Sequence, residues 1–207
     1  KAKGDLVDDG FIVYKSSEAK LDTVPSCHDY LINLRNQLIK DGILINNGKA
    51  YLSKVLSDST MTVEQTFNTS APFFVYGNVT AWDETELPTD ISTIADLEEY
   101  VNTKTDKAKR PFAFKLIGEV TTAKFHIQNL PKGTKVSSPD EAHQGQVSYY
   151  LTNEPVEIIG FFSTDHKGIF THHDSFLHLH LITQDEEKMG HLDEALFGEM
   201  KLYLPNK

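Results

Sequence analysis

The alternation of apolar and polar positions predicts a chain built mostly of β-strands, with two helical segments. Runs rich in aromatic and β-branched residues, typical of strands, cover residues 11–14, 71–82, 111–127, 146–151, 156–163, 176–183, 191–196 and 200–204. Apolar residues recur at helical spacing in residues 25–42 and again in residues 92–101. Helices are therefore expected only in the first half of the chain.

A tight hairpin is predicted where Asn47-Gly48 separates two apolar runs, residues 43–45 and 49–54. A two-residue turn between paired strands needs positive φ at both central positions, and asparagine followed by glycine adopts this conformation most readily. The two runs should therefore pair as antiparallel strands.

A polar, basic stretch at residues 102–110 is the expected boundary between two lobes of one continuous domain. Residues 1–105 would form a mixed α/β lobe, and residues 106–207, which read as nearly all strand, a β-rich metal-binding lobe. The predicted fold class is α+β, with a mixed sheet in the N-terminal lobe and an antiparallel sheet or barrel in the C-terminal lobe.

The charge balance argues for small-molecule chemistry. Thirty Asp and Glu residues against twenty Lys and Arg residues give a net charge of −10, which disfavours nucleic acid and anionic membranes as partners. No apolar run reaches the roughly 18 residues that span a bilayer. The numbering begins at Lys1, so a bacterial protein exported after removal of a signal peptide and a cytoplasmic protein both fit, as do a monomer and a homodimer.

Three histidines near the C-terminus are the strongest candidates for chemistry. In the predicted strand at residues 176–183, the period of two places His178 and His180 on one face and leucines on the other. After a polar turn the chain can return antiparallel and bring His191 beside them. Three imidazoles with an open fourth position are the ligand set of a catalytic zinc site, although other divalent transition metals also accept imidazole.

Other interpretations of these histidines remain open. His178 and His180 could line a barrel interior while His191 caps a turn, with no metal involved. His172 or Asp174, just upstream, could be a ligand or could orient one. A cupin also carries two histidines one residue apart, but its expected preceding glycine is missing here and no clear second histidine motif is present.

Three short segments of the C-terminal half follow one another in order, namely G-F-F-S at residues 160–163, H-L-H-L-I-T-Q-D at residues 178–185 and M-G-H at residues 189–191. They resemble the pattern of bacterial acetolactate decarboxylases, which have a G-F-x-[ST] turn after a strand, then an H-x-H run ending in an acidic residue, and then G-G-H after a short basic turn. Further similarity extends the likeness to roughly residues 40–205.

The resemblance implies a two-lobed fold with zinc on the three histidines, His178, His180 and His191. It also implies decarboxylation of 2-hydroxy-2-methyl-3-oxobutanoate (acetolactate) to acetoin, a step in the bacterial route to butanediol. Lewis-acid catalysis by zinc suits this reaction, since negative charge develops on the substrate as carbon dioxide leaves. The expected ligand is thus a small 2-hydroxy acid.

Two departures from the family pattern concern the substrate side of the site. An acidic residue of the family is replaced by Ile43, and an arginine that addresses the substrate carboxylate is replaced by His126, which lacks the guanidinium fork. Lys124 and His126 share a strand face and could hold the anion together, with Glu199 or Glu119 as the replacement carboxylate. The alternative is a catalytically inactive or substrate-diverged homologue that binds a metal and a small hydroxy acid.

Overall fold

The structure of the protein is a computed structural model. It describes residues 4–7, 11–20, 30–33, 41–105, 107, 110–130, 134, 144–167, 171 and 174–206. Within these residues it contains strands and a single α-helix. The elements, in chain order, are β1 (Gly4–Val7), β2 (Phe11–Lys20), β3 (Tyr30–Asn33), β4 (Asp41–Asn46), β5 (Lys49–Val55), β6 (Met61–Gln65), β7 (Ser70–Asn78), β8 (Trp82–Glu86), α1 (Ile94–Lys104), β9 (Phe112–Gln128), β10 (Gln146–Phe162), β11 (Leu177–Thr183) and β12 (Met189–Pro205).

The strands form two sheets. A seven-stranded sheet has the order β1-β2-β7-β3-β4-β5-β6, and a five-stranded sheet has the order β11-β10-β9-β12-β8. Every pairing between these strands is antiparallel, including those in the N-terminal sheet that was predicted to be mixed. The two-sheet α+β prediction is confirmed, and it is the direction of the N-terminal strands that differs.

The C-terminal sheet closes on itself. Strand β11 pairs with β10 on one edge and with the first residues of β12 on the other, so β11, β10, β9 and β12 form a continuous ring of pairings. Register shifts in β12 between Leu192 and Glu194 and between Phe197 and Met200 mark bulges against β9. Bulges bend a strand and increase its twist, which lets long strands curl into such a ring.

The hydrophobic core lies mainly within this ring and under α1. Phe112 stacks on Phe162 with ring centroids 5.4 Å apart. Leu97 and Val101, on one face of α1, are fully buried in the same cluster. The helix begins with a capping box, in which the Thr93 side chain accepts a hydrogen bond from the Asp96 amide and the Asp96 carboxylate accepts one from the Thr93 amide. The predicted second helix is therefore confirmed.

The predicted hairpin is also confirmed. Strands β4 and β5 pair from Asp41 to Asn46, and the turn residues Asn47 and Gly48 have φ values of 50° and 74°. These are the left-handed conformations that a primed two-residue turn requires. Leu44 and Tyr51, on one face of this hairpin, join the core cluster of the C-terminal sheet.

The first predicted helix is wrong where it can be compared. Tyr30–Asn33 is strand β3, which pairs with β7 and with β4, while residues 25–29 and 34–40 lie outside the described residues. A short apolar run fits a strand paired on both edges as well as it fits a helix, and here sheet pairing decides. The lobe boundary at residues 105/106 remains a prediction; β8 and α1, which precede it, contribute to the C-terminal sheet and its core.

Candidate metal centre

The β11–β12 hairpin brings the three predicted histidines together. His178 and His180 are two residues apart on β11 and therefore lie on the same face of the strand. His180 is the direct register partner of His191 on β12. The candidate ligand atoms of all three lie within 4.8 Å of one another. His178 and His180 are 7% and 3% exposed, so two of the three imidazoles are withdrawn from solvent.

The spacing of these imidazoles fits a divalent metal ion. The Nε2 atoms of His178 and His180 are 3.4 Å apart, and their rings are nearly parallel, with an angle of 14° between their planes. The ring of His191 stands at 86° to that of His178. A tetrahedral ion with metal–nitrogen bonds of about 2.0–2.1 Å holds its ligand nitrogens roughly 3.3–3.4 Å apart. His178 and His180 therefore already have the spacing of a metal-ligand pair, and the candidate ligand atom of His191 lies within 4.8 Å of theirs.

His126 lies beside this cluster on β9. It is the register partner of His191 on the side away from His180, and its ring centroid is 4.9 Å from that of His191. Its Nδ1 is 2.8 Å and 2.9 Å from the two carboxylate oxygens of Asp193, and its Nε2 is 3.0 Å from the amide nitrogen of Gln146. These contacts are satisfied when Nδ1 donates to Asp193 and Nε2 accepts from Gln146.

Lys124 precedes His126 on the same face of β9 and forms an exposed ion pair. Its Nζ is 3.3 Å from Glu194, and its side chain is 34% exposed. The hydrogen bond and charge of Glu194 raise the pKa of Lys124 above its usual value. The two residues predicted to hold a substrate anion are therefore each matched by a carboxylate of β12.

The structure does not bring Glu199 to the histidines. Glu199 is exposed at a register irregularity of β12, next to Met200, whose partner on β9 is Gly118. Gly118 is eight residues from His126, or roughly 26 Å along an extended strand at about 3.3 Å per residue. Glu119 is exposed in the same region. Neither glutamate occupies the place of the carboxylate that the family pattern led us to expect.

The β4–β5 hairpin covers the neighbouring part of the histidine face. The Tyr51 hydroxyl donates to Glu186 over 2.7 Å, and the Asn46 amide donates to Glu157 over 2.6 Å. Glu157 is the register partner of Ile182, and therefore lies on the same sheet face as His180, one diagonal step away. A Cβ atom at Gly42 would lie 3.8 Å from the Met189 side chain, so the hairpin approaches β12 two residues before His191.

Ile43 supplies no charge to this site. It is 1% exposed, and strand alternation places it on the face of β4 opposite Gly42 and Leu44.

Burial of the Tyr51 hydroxyl and its hydrogen bond to Glu186 raise the pKa of Tyr51 far above its usual value, while the same hydrogen bond lowers the pKa of Glu186. Ionised groups on the hairpin side thus serve to hold the hairpin against the sheet.

Three residues near the histidines were not predicted from sequence, namely Asp193, Gln146 and Glu157. Strand alternation could have found Asp193, which follows His191 by two residues. The other two lie on β10, and only the register of the folded sheet places them. Among the alternative ligands, Asp174 is exposed and its carbonyl oxygen accepts a hydrogen bond from Lys167, while His172 lies outside the described residues.

The fold and these side chains define a class of antiparallel β-sheet proteins with a candidate three-histidine metal centre. Residues 39–206 match the sequence model of alpha-acetolactate decarboxylase, and the chain belongs to that family. This assignment replaces the cupin alternative. Residues 1–63 also match DUF4357, a domain of unknown function. No significant match is found among curated proteins.

Solved structures agree with this fold. Alpha-acetolactate decarboxylase from Bacillus subtilis strain 168 superposes with a TM-score of 0.74 at 19% identity, covering 93% of this chain and 80% of its own. A Staphylococcus aureus protein of unknown function, similar to alpha-acetolactate decarboxylase, gives a TM-score of 0.74 at 13% identity, covering 93% of this chain and 79% of its own. At such identities the comparison establishes the fold alone.

Among the residues that the structure describes, no helix has the length and apolar character needed to cross a membrane.

Proposed function

We propose that this protein is a zinc-dependent carboxy-lyase that converts acetolactate to acetoin and carbon dioxide. The observation that carries the proposal is the 3.4 Å spacing of the His178 and His180 Nε2 atoms, with His191 in register beside them, within the fold of this family. Three neutral imidazoles leave the full charge of a divalent ion available to a ligand, and imidazole is a common ligand of zinc.

On this proposal, a small chelating ligand would bind the metal at the three histidines. A divalent ion held there would act as a Lewis acid toward the negative charge that develops on substrate oxygens as carbon dioxide leaves. His178 and His180 hold their rings on a buried strand, which excludes water from one side of the centre. His126, turned toward Asp193, borders the other side next to His191. Asn46 and Tyr51 of the β4–β5 hairpin, which donate hydrogen bonds to Glu157 and Glu186, limit the space available to the ligand.

The test is an assay of the zinc-loaded protein with racemic acetolactate. We expect acetoin to form well above the spontaneous rate, and a His178→Ala, His180→Ala double variant to return to that rate. Equal rates for the wild-type protein and the buffer control would overturn the proposal, provided that elemental analysis shows zinc in the wild-type protein.

A second candidate is a homologue that binds a metal and a small hydroxy acid without turning it over. Two observations favour it, namely the buried, apolar Ile43 where the family pattern has an acidic residue and the carboxylate partner of His126 where the pattern has arginine. Calorimetric titration of zinc-loaded protein with 2-hydroxy-2-methylpropanoate separates the candidates. Binding without acetoin production supports the second candidate, and production of acetoin excludes it.

A further inference from the structure

Asp193 is placed to control the charge beside the metal centre. It lies two residues after His191 on β12, at the bulge where the register against β9 shifts between Leu192 and Glu194. Both of its carboxylate oxygens lie within 2.9 Å of His126 Nδ1. The side chains of His126 and Asp193 are 13% and 25% exposed, so the contact is only partly solvated.

The pair that Asp193 forms with His126 cannot act as a cation. With a neutral imidazole its net charge is −1, and with an imidazolium its net charge is 0. A guanidinium at this place would carry +1 at any pH near neutrality. The other predicted anion-binding group, Lys124, is matched by Glu194 over 3.3 Å. The charge that attracts an acid to this side of the centre is therefore cancelled by two consecutive residues of one strand.

We propose that Asp193 determines ligand specificity by weakening the hold of this site on a ligand carboxylate. The inference rests on the proposed function, because it assumes a hydroxy acid bound at the three histidines with its carboxylate toward His126. Most of the affinity for the acid then comes from the centre itself. A ligand of the same shape that lacks a carboxylate, such as acetoin, does not experience this repulsion.

The same charge arrangement favours loss of carbon dioxide. In that step the bond between C2 and the carboxylate carbon breaks, its electron pair stays on the remaining substrate, and a proton from solvent replaces carbon dioxide. Negative charge thus moves away from the carboxylate, toward the oxygens that face the histidines. Asp193 raises the energy of the bound acid more than that of the transition state, where the carboxylate has lost part of its charge.

The experiment compares ligand binding by Asp193→Asn and wild-type protein, both loaded with zinc. Asparagine keeps an oxygen that accepts a hydrogen bond from His126 Nδ1, so the substitution removes the charge while retaining the orienting contact. Calorimetry should show that 2,3-dihydroxy-2-methylbutanoate, which can chelate through two hydroxyls and leave its carboxylate free, binds the variant about three- to tenfold more tightly, as expected for one charge acting across a partly solvated site. Binding of acetoin should be unchanged.

Two further variants keep the result interpretable. Asp193→Glu retains the charge and should leave the affinity for the acid near the wild-type value. Asp83→Asn makes the same chemical change on β8, where Asp83 accepts a hydrogen bond from Asn206 on the surface. This variant should change the affinity for neither ligand. Equal or weaker binding of the acid by Asp193→Asn, at equal zinc content, would overturn the proposal and leave Asp193 with only an orienting role.

Kinetics separate this inference from the proposed function. If wild-type protein produces acetoin, Asp193→Asn should lower both KM and kcat, and a rise in KM contradicts the inference. If wild-type protein produces no acetoin but the variant binds the acid more tightly, the specificity role of Asp193 stands and the decarboxylase proposal fails.

Discussion

His180 and His191 face each other directly across the β11–β12 hairpin, with ring centroids 5.3 Å apart and ring planes at 90°. Because the turn between the two strands is short, the third imidazole is delivered by local chain geometry and does not depend on a distant element. His178 then completes the set through strand alternation alone. The candidate metal centre is thus a property of one hairpin, supported on both edges by β10 and β9.

The first prediction concerns metal content. A His178→Ala, His180→Ala double variant should fall from about one zinc per chain to near zero, because a single imidazole cannot retain zinc against buffer. Elemental analysis after dialysis measures this. His166→Ala is the matched control. His166 contacts Ser163 in a loop that follows β10, so this variant should keep the zinc content of wild-type protein. Equal zinc in the double variant and wild-type protein would rule out the site.

A second prediction concerns the close approach of β12 and β9 at Gly190. A Cβ atom here would lie 2.6 Å from the His126 carbonyl oxygen and 2.6 Å from the Phe125 ring, so Gly190→Ala must push the two strands apart. We expect a loss of about 1–3 kcal/mol in stability, the usual cost of overpacking, and weaker zinc binding as His191 is displaced.

Denaturant unfolding and zinc titration measure these effects for Gly190→Ala. At Gly198, on the same strand, the nearest atom to an added Cβ is the Glu119 carbonyl oxygen at 3.0 Å, so Gly198→Ala should bind zinc as wild-type protein does. If Gly190→Ala keeps both wild-type stability and wild-type zinc affinity, the strand spacing described here is wrong.

Sequence alone was sufficient for the parts of the site that depend on local rules. Alternation along β11 and the polar turn after it predicted the three histidines, and Asn47-Gly48 predicted the hairpin that covers their face. Both inferences use contacts between residues close in the chain, where geometry is nearly determined by residue type.

The third prediction tests the clamp between hairpin and sheet. Tyr51→Phe removes the hydroxyl that donates to Glu186 and should cost about 1 kcal/mol of stability at neutral pH, because the carboxylate is partly exposed. Tyr150→Phe, at a residue 71% exposed, should be neutral. Chemical denaturation of the three proteins provides the comparison, and a loss equal in both variants would contradict the clamp.

The pH dependence of that difference has a definite sign. The Tyr51 hydroxyl lowers the pKa of Glu186 in the folded protein, so this stabilisation is complete above the ordinary glutamate value of about 4.5 and is lost as pH falls through the lowered pKa. The gap in unfolding free energy between wild-type protein and Tyr51→Phe should therefore narrow below that pH. A gap that widens on acidification would show that another group dominates.

What sequence could not supply depends on contacts between distant residues. Asn46 and Glu157 are 111 positions apart, and Tyr51 and Glu186 are 135 apart, so their pairing follows only from how the two sheets pack. Strand β3 illustrates the same limit, since its pairing with β7 overrides helical spacing. Glu199 was a reasonable candidate by residue type, but the register of β12 against β9 places it far along the strand from His126.

The last prediction asks whether the family's arginine can be restored. His126→Arg alone raises the net charge of the pair by one unit, as Asp193→Asn does, and should tighten binding of 2,3-dihydroxy-2-methylbutanoate about three- to tenfold while Asp193 still engages the guanidinium through paired hydrogen bonds. Combining it with Asp193→Asn frees the guanidinium hydrogen bonds for the ligand carboxylate, and the double variant should bind the acid more than about tenfold more tightly than either single variant. Calorimetry of the zinc-loaded proteins gives the full double-mutant cycle. Strictly additive effects would mean that positions 126 and 193 act independently, whereas the 2.8 Å contact between them requires strong coupling.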